Sequence, residues 1–486
     1  MNLFRTTFLL ACAAMLPAIL SAQDFNGDGY EDLAIGSPYA DTAALPNRGV
    51  VHVLWGAAGA LNPATATNLR LATAGLTPAA EDYFGWALAH GDLDADGMDD
   101  LVVGTAHRDS GGLLDSGLVT VFYGPVPTGG SLSFTAPAAL LQAEARFGAT
   151  LAVGDFDADG NDDLAVGAPA WDEAGIPDAG AVAVYLGPLA AGATPEVLTE
   201  ASAGGTLQIY DHFGAALVAG QFNDDPGDEL AVSVPYQDLA GAADAGVVCV
   251  FTWPGGVLAA EPTLDLTMVG LVPGAGDSTG NSALAAGDFD ADGYDELAVG
   301  VPARNVVAGD EGCVAIFRGG SSGLMGLTSL SQDYAGMNDA CEWFDWFGHS
   351  LAVGEFNGLA GEDLAVGVPR EGDGAITVTG AVQVIYGQAG VGLSGVGDVV
   401  RFQPVGEREA SDLYGFSIAA VDLYNDGRDD LAAAAPYEDS VAISNLGAVS
   451  ILPNAGVVAY RWLPTAFPGT SLVYGASHLF GLSLGK

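Results

Sequence analysis

The sequence predicts an all-β chain: seven four-stranded antiparallel blades closed into a ring, a β-propeller. Three observations carry this. An acidic nine-residue segment recurs beginning at Asp24, Asp92, Asp155, Gln221, Asp288, Glu355 and Asp422, at intervals of 68, 63, 66, 67, 67 and 67 residues, the regular period of a repeat architecture. Between the copies lie runs of Val, Ile and aromatic residues at alternate positions, punctuated by glycine, which are strand signals. The ends also complement each other: the first copy lacks the strand that precedes the others, whereas Leu479-Phe480-Gly481-Leu482-Ser483-Leu484 repeats Arg146-Phe147-Gly148-Ala149-Thr150-Leu151 with no acidic segment after it. One four-stranded sheet cannot bury both faces, but seven arranged radially can, and a last strand that joins the first blade removes the open edges of a linear array.

Composition narrows the partners. Of 486 residues half are apolar and 70 are glycine, whereas Lys and Arg total 13 against 61 Asp and Glu, a formal charge of −48. Such a surface repels nucleic acid and anionic membranes. Nearly half of the acids fall in the seven segments, so the acidity is largely a set of sites.

Taken in order, residues 1–22 read as a secretory signal: Arg5, an apolar stretch from Phe8 to Leu20, then Ser21 and Ala22, with cleavage expected before Gln23. The alternative is a lipoprotein signal with Cys12 lipidated. Residues 23–486 then form one domain. No later apolar run reaches the roughly 20 residues of a membrane helix, so the product is expected outside the cell or at its surface, the periplasm included. Three cysteines remain: Cys249, in an apolar run, reads as a core thiol, and Cys313 and Cys341 are free to pair or not.

The acidic segment has the form of a tight cation loop. In Asp155-Phe156-Asp157-Ala158-Asp159-Gly160-Asn161-Asp162-Asp163, oxygen-bearing side chains alternate, a glycine follows the third, and a carboxylate closes the segment. A hard cation such as calcium takes six to eight oxygens, which alternate residues and one backbone carbonyl can supply. Position one to position nine of the segment gives Asp155, Asp157, Asp159 and Asp163, with the carbonyl of Asn161 as the fifth ligand. Gly160 takes the bend with φ above zero. Equivalent full sets are Asp24, Asn26, Asp28, Asp32 and the Tyr30 carbonyl; Asp92, Asp94, Asp96, Asp100 and the Met98 carbonyl; and Asp288, Asp290, Asp292, Glu296 and the Tyr294 carbonyl. A polar turn needs one Asp-Gly pair, not four acids. The remaining copies are eroded: Pro226 replaces the glycine in the fourth, Leu359 the central acid in the sixth, and Tyr424 an acid in the seventh. Calcium is therefore expected at about four strong sites and up to three weaker ones.

Three marks travel with the loop. An aromatic-glycine pair precedes it at Phe84-Gly85, Phe147-Gly148, Phe213-Gly214, Phe347-Gly348 and Tyr414-Gly415, with Asn281-Ser282 expected as the fifth-copy equivalent. A small-small-Pro turn follows, as at Gly167-Ala168-Pro169, with Gly104-Thr105-Ala106 departing from it. A glycine then opens the third strand, at Gly49, Gly117, Gly180, Gly246, Gly312, Gly380 and Gly447. A weaker fourth strand follows each.

These pairs, turns and loops resemble the FG-GAP repeats of integrin α-subunit head domains, over essentially the whole chain after the signal. The resemblance implies a seven-bladed propeller with calcium in hairpin loops on one face and protein recognition on the opposite one. It does not carry the receptor function with it. No HExxH or P-loop pattern is present, and the expectation is a non-enzymatic adhesion or recognition module for an extracellular protein or glycan. The alternatives are a polysaccharide-acting lyase or hydrolase with a site in the channel, and a matrix scaffold. The aromatic segment Cys341 to Phe347, with Trp343 and Trp346, reads either as a ligand-contacting loop or as core filling; Trp171-Asp172-Glu173 is a lesser loop candidate.

Overall fold

The computed structural model describes residues 24–41, 45–57, 62–281, 283–306, 309–374, 376–404, 407–439, 445–456, 458, 460–463 and 483–485. The signal, Cys12 and Phe480-Gly481 lie outside them.

The chain forms seven antiparallel sheets of four strands, six in sequential order and one in which the last strand of the chain precedes the first three. Blade three is typical: Thr150–Gly154, Asp163–Ala168, Ala181–Tyr185 and Glu196–Leu198. The first strand lies innermost, the acidic loop turns it into the second, and in this blade the outer strand is the shortest, three residues. Every residue of the second strand Leu-Ala-Val-Gly-Ala stretch is buried, because neighbouring blades cover both of its faces; an apolar run replaces simple alternation there.

The ring closes as the sequence predicts. Ser483–Gly485 pairs with Leu33–Ser37, with Ser483 opposite Gly36 and Leu484 opposite Ile35, and so becomes the innermost strand of blade one. The seven innermost strands contact one another in an unbroken cycle. The core lies between the blades: one apolar cluster joins Phe156 and Val182 to Phe213, Val232 and Phe251 of the next blade, and another joins Phe222 and Val250 to Val299 and Phe317.

The sequence marks acquire physical reasons. Phe84, Phe147, Phe213, Phe347 and Tyr414 are all fully buried, each ring contributing about 2–3 kcal/mol by leaving water. Each lies beside the glycine that opens the third strand of the preceding blade, in bridges such as Gly117 with Phe147. A Cβ on Gly117 would sit 2.1 Å from the Phe147 carbonyl oxygen, so only glycine permits that approach. In blade five the expected pair is displaced: Thr279-Gly280, not Asn281-Ser282, holds the position, with the Gly280 N–H donating to Gly300 O (2.9 Å) as the Gly148 N–H does to Gly167 O (3.0 Å). Thr279 has replaced the aromatic ring, which hid the register. Cys249, Cys313 and Cys341 are all free thiols, the first two buried.

Candidate metal centres in the hairpin loops

Each acidic loop except the fourth, which opens on Gln221, is wound around its first carboxylate. In blade three Asp155 accepts the N–H groups of Asp159 (3.0 Å) and Gly160 (2.9 Å), and Asp159 accepts that of Asn161 (2.9 Å). Gly160 has the expected positive φ, 88°, but Ala158 is left-handed as well at 61°, a strained conformation for alanine of the kind that gathers at functional loops. The last acid, Asp163, is fully buried and accepts from Phe156 N (2.8 Å) and from Gly187 N (2.6 Å) beyond the third strand. It therefore pins the loop to a second loop as well as facing Asp155 and Asp157.

The structure brings many, not all, of the expected ligands together. Oxygens of Asp155, Asp157 and Asp163 lie within 4.8 Å of one another, as do those of Asp92, Asp94 and Asp96, and those of Asp288, Asp290 and Glu296. Asp159, Asp100 and Asp292 stand outside those trios. Asp100 instead accepts from Leu93 N (3.0 Å) and Gly124 N (2.9 Å). In the first loop Asp24 accepts from Gly27, Asp28 and Gly29, while the Asn26 amide donates to Asp32 Oδ2 (3.2 Å). The carbonyl-bearing residues Tyr30, Met98, Asn161 and Tyr294 are all held by donating N–H to the fifth-position acid, at 2.9–3.1 Å.

The test of fit is the third position. Asp94 Oδ1, Asp157 Oδ1 and Asp290 Oδ1 are each enclosed and without a hydrogen-bond partner, a costly arrangement for a polar oxygen. Burial first raises all three carboxyls; neighbouring acids add to it at Asp94 and Asp157, whereas at Asp290 the Arg318 guanidinium opposes it. Burial likewise pushes Asp100 and Asp163 to about 7 and Asp32 and Glu296 to about 8. An all-oxygen donor set with an orphaned oxygen and crowded acids suits a hard divalent cation.

The fifth loop differs in a way its own residues conceal. Arg318, at the end of the third strand, reaches both Asp290 and Asp292 at 2.7 Å. The fourth and sixth loops fill themselves with donors: the Gln221 amide donates to Asn223 O (2.9 Å) and Asp225 O (2.6 Å), and the Asn357 amide to Asp363 Oδ1 (2.6 Å); the seventh keeps Asp422 accepting from Asp426 N (2.9 Å) and Gly427 N (2.8 Å).

A further carboxylate, at position eight, escapes the reading of single loops. It accepts the first N–H of the preceding blade's loop: Asp92 N to Asp162 (2.8 Å), Asp155 N to Asp228 (3.1 Å), Gln221 N to Asp295 (2.9 Å), Asp288 N to Glu362 (2.8 Å), and Glu355 N to Asp429 (2.7 Å). Asp422 N donates to Glu31 (2.7 Å), which carries the interlock across the seam. The signal was present, since every copy has an acid there; its partner lies one blade away.

Known proteins give this geometry a context. The FG-GAP repeat pattern matches residues 16–54, 84–122, 147–185, 280–317 and 414–452. A human phosphatidylinositol-glycan-specific phospholipase D is 34% identical over 175 residues, covering 34% of this chain and 20% of that protein. Human integrin alpha-IIb is 35% identical over 175 residues, covering 34% and 16%. The chain thus spans about a fifth of the length of these relatives. Among solved structures, a rhamnogalacturonan lyase covers 92% of both chains at 12% identity, but its TM-score of 0.36 is too low to carry an argument. Among the described residues no helix is long and apolar enough to cross a membrane.

Proposed function

The chain is an FG-GAP-repeat β-propeller of the integrin α kind, and from that premise we propose that it is an exported, calcium-stabilised recognition module for an extracellular protein. The observation that carries this is an exposed aromatic loop on the face away from the acidic hairpins. Residues 341–347 precede the innermost strand Ser350–Gly354, whose other end enters the acidic loop, so the two stand at opposite ends of the ring. Trp343 is 68% and Phe344 40% exposed, with the Arg370 guanidinium 5.7 Å from the Phe344 ring and 4.5 Å from that of Trp346. An exposed Trp beside a half-buried Arg brings together two of the residue types enriched at binding hot spots. Phe347 of the same segment is core filling, and Trp346 stacks on His349 at 5.8 Å. That part of the segment follows the core-filling expectation, and Trp343 and Phe344 are the part offered to a ligand on this reading.

Calcium has a structural role on this reading. At about 1 mM calcium and a dissociation constant of about 0.1 mM, each occupied loop stabilises the fold by about 1.4 kcal/mol. Residues 1–22 serve as the export signal. The decisive measurement is binding of the full secreted chain to arrays of extracellular-matrix proteins and of glycans. A protein hit lost in Trp343→Ala at unchanged melting temperature supports the reading. Binding that survives the substitution, hits confined to glycans, or no binding overturns it.

A further inference from the structure

On the face away from the hairpins, each junction between blades brings together three positions. One lies just past the outer strand of a blade, one lies two residues before the aromatic-glycine pair, and one is the second residue after the Pro turn. Charge is answered differently from junction to junction. Before blade two the three are Leu71, Asp82 and Arg108, with Arg108 Nη1 at 2.8 Å from both Asp82 oxygens. Before blade five they are Leu266, Asp277 and Arg304, again an Asp–Arg pair. Before blade three they are Ala136, Ala145 and Trp171, and no charge exists. Before blade seven Gln403, Asp412 and Glu438 meet, and Arg461 pairs with Glu438.

Before blade six the three are Gln332, Asp345 and Glu371, with Glu342 added from the aromatic loop. Oxygens of Glu342, Asp345 and Glu371 lie within 4.8 Å of one another. Asp345 and Glu371 are each 2% exposed, while Glu342 is exposed and opens the group to solvent. Among the described residues no salt bridge reaches any of the three; the neighbouring Arg370 guanidinium lies over the Trp346 ring. Gln332 completes the group, as Gln237 and Gln403 do before blades four and seven, each with an orphaned Oε1. The Gln332 side chain is 1% exposed, its Nε2 ends on Glu371 Oε2 at 2.6 Å, and its Oε1 has no partner. An amide exchanges its oxygen and nitrogen by a half-turn of the last bond, so the group that now donates to Glu371 can present oxygen to a cation.

We propose that Glu342, Asp345, Glu371 and Gln332 form a divalent-cation site, separate from the hairpin loops and on the opposite face of the ring. The donors are all oxygens, which selects a hard ion such as calcium. Buried acids facing one another without a counter-charge need either a cation or a proton. The third carboxylate is what favours the ion here. Before blade four, where only Glu200 and Asp211 meet beside Gln237, a shared proton suffices, and the Glu200 carboxyl is raised to about 8 by burial and then by Asp211. Glu371 is likewise raised to about 8 and Asp345 to about 7, burial first and neighbouring acids next.

The test is calcium stoichiometry by equilibrium dialysis and metal analysis, on the full chain and on Glu371→Gln, Asp157→Asn and the double variant. The expected result is that each single substitution lowers the bound calcium by one ion and the double by two. In chelator, Glu371→Gln should melt no lower than the parent, because it removes a buried charge. Should Glu371→Gln fail to fold, Glu342→Gln at the exposed edge should weaken one site at least ten-fold. An unchanged stoichiometry in Glu371→Gln or an unchanged affinity in Glu342→Gln overturns the site and leaves a proton-sharing pair. Loss of an ion in Asp157→Asn alone would uphold the hairpin sites while removing this one.

Discussion

The third and fifth hairpin loops carry the same ligand pattern, Asp155-Asp157-Asp159-Asp163 against Asp288-Asp290-Asp292-Glu296, yet they are not the same site. The third has its orphaned oxygen on Asp157 and no salt bridge at its acids among the described residues. The fifth has Arg318 laid across Asp290 and Asp292. Leu186 stands in blade three where Arg318 stands in blade five, six residues past the glycine that opens the third strand. A loop that reads as a complete cation site can therefore have part of its charge answered from another strand. The closing acids differ too: Asp163 holds two backbone N–H groups, Glu296 only that of Phe289 (2.9 Å).

The sharpest way to break the comparison is to delete the closing acid. Asp163→Ala strands two buried donors and should cost about 3 kcal/mol in chelator, whereas Glu296→Ala strands one and should cost about 1.5 kcal/mol. Denaturant unfolding of both decides it, and equal losses would show the second tether to be idle. Next in size is calcium itself: titration should raise the melting temperature, with about 1.4 kcal/mol carried by the third loop. Asp157→Asn should therefore shrink that rise more than Asp290→Asn does.

A third prediction concerns acids answered by neither arginine nor metal. The Glu200 carboxyl is raised from 4.5 to about 8, so the folded state holds the proton more tightly than the unfolded one. Its contribution is full below about pH 4.5 and is lost as pH rises through about 8. Glu200→Gln should raise the melting temperature by a few degrees above pH 8 and leave it nearly unchanged near pH 4.5; a pH series of melting curves checks both limbs. The smallest effect belongs to Arg318→Leu. The arginine is 43% exposed, so its loss should cost under about 1 kcal/mol in chelator. Calcium affinity at the fifth loop should rise, and Leu186→Arg should lower it at the third, both readable by calorimetry.

Much of this was legible in the sequence because the repeats constrain each other. The period, the alternating acids and the reappearance of Leu482-Ser483-Leu484 at the end predict blades, loops and closure, and the pairing of Ser483 with Gly36 bears the last out. What escaped depends on neighbours in space. Thr279 fills the aromatic position without its ring, so Asn281-Ser282 took its place by spacing. Arg318 and the position-eight acids act across strands or blades, where no periodicity within one loop can point. Glu371 lies 39 residues from Gln332, and only packing of two blades brings it to Glu342, Asp345 and Gln332.

The position-eight interlock has a consequence for how such rings change over time. Among the described residues, six of the seven loops are finished by an acid that the neighbour carries, whether that neighbour is 70 residues away, as for Asp92 and Asp162, or 391, as for Asp422 and Glu31. A duplicated unit would arrive with one acid to lend and one N–H in need, and so would fit any joint without new chemistry. The number of blades is then a matter of wedge angle and side-chain volume, while the fastening between them is indifferent to where the polypeptide begins.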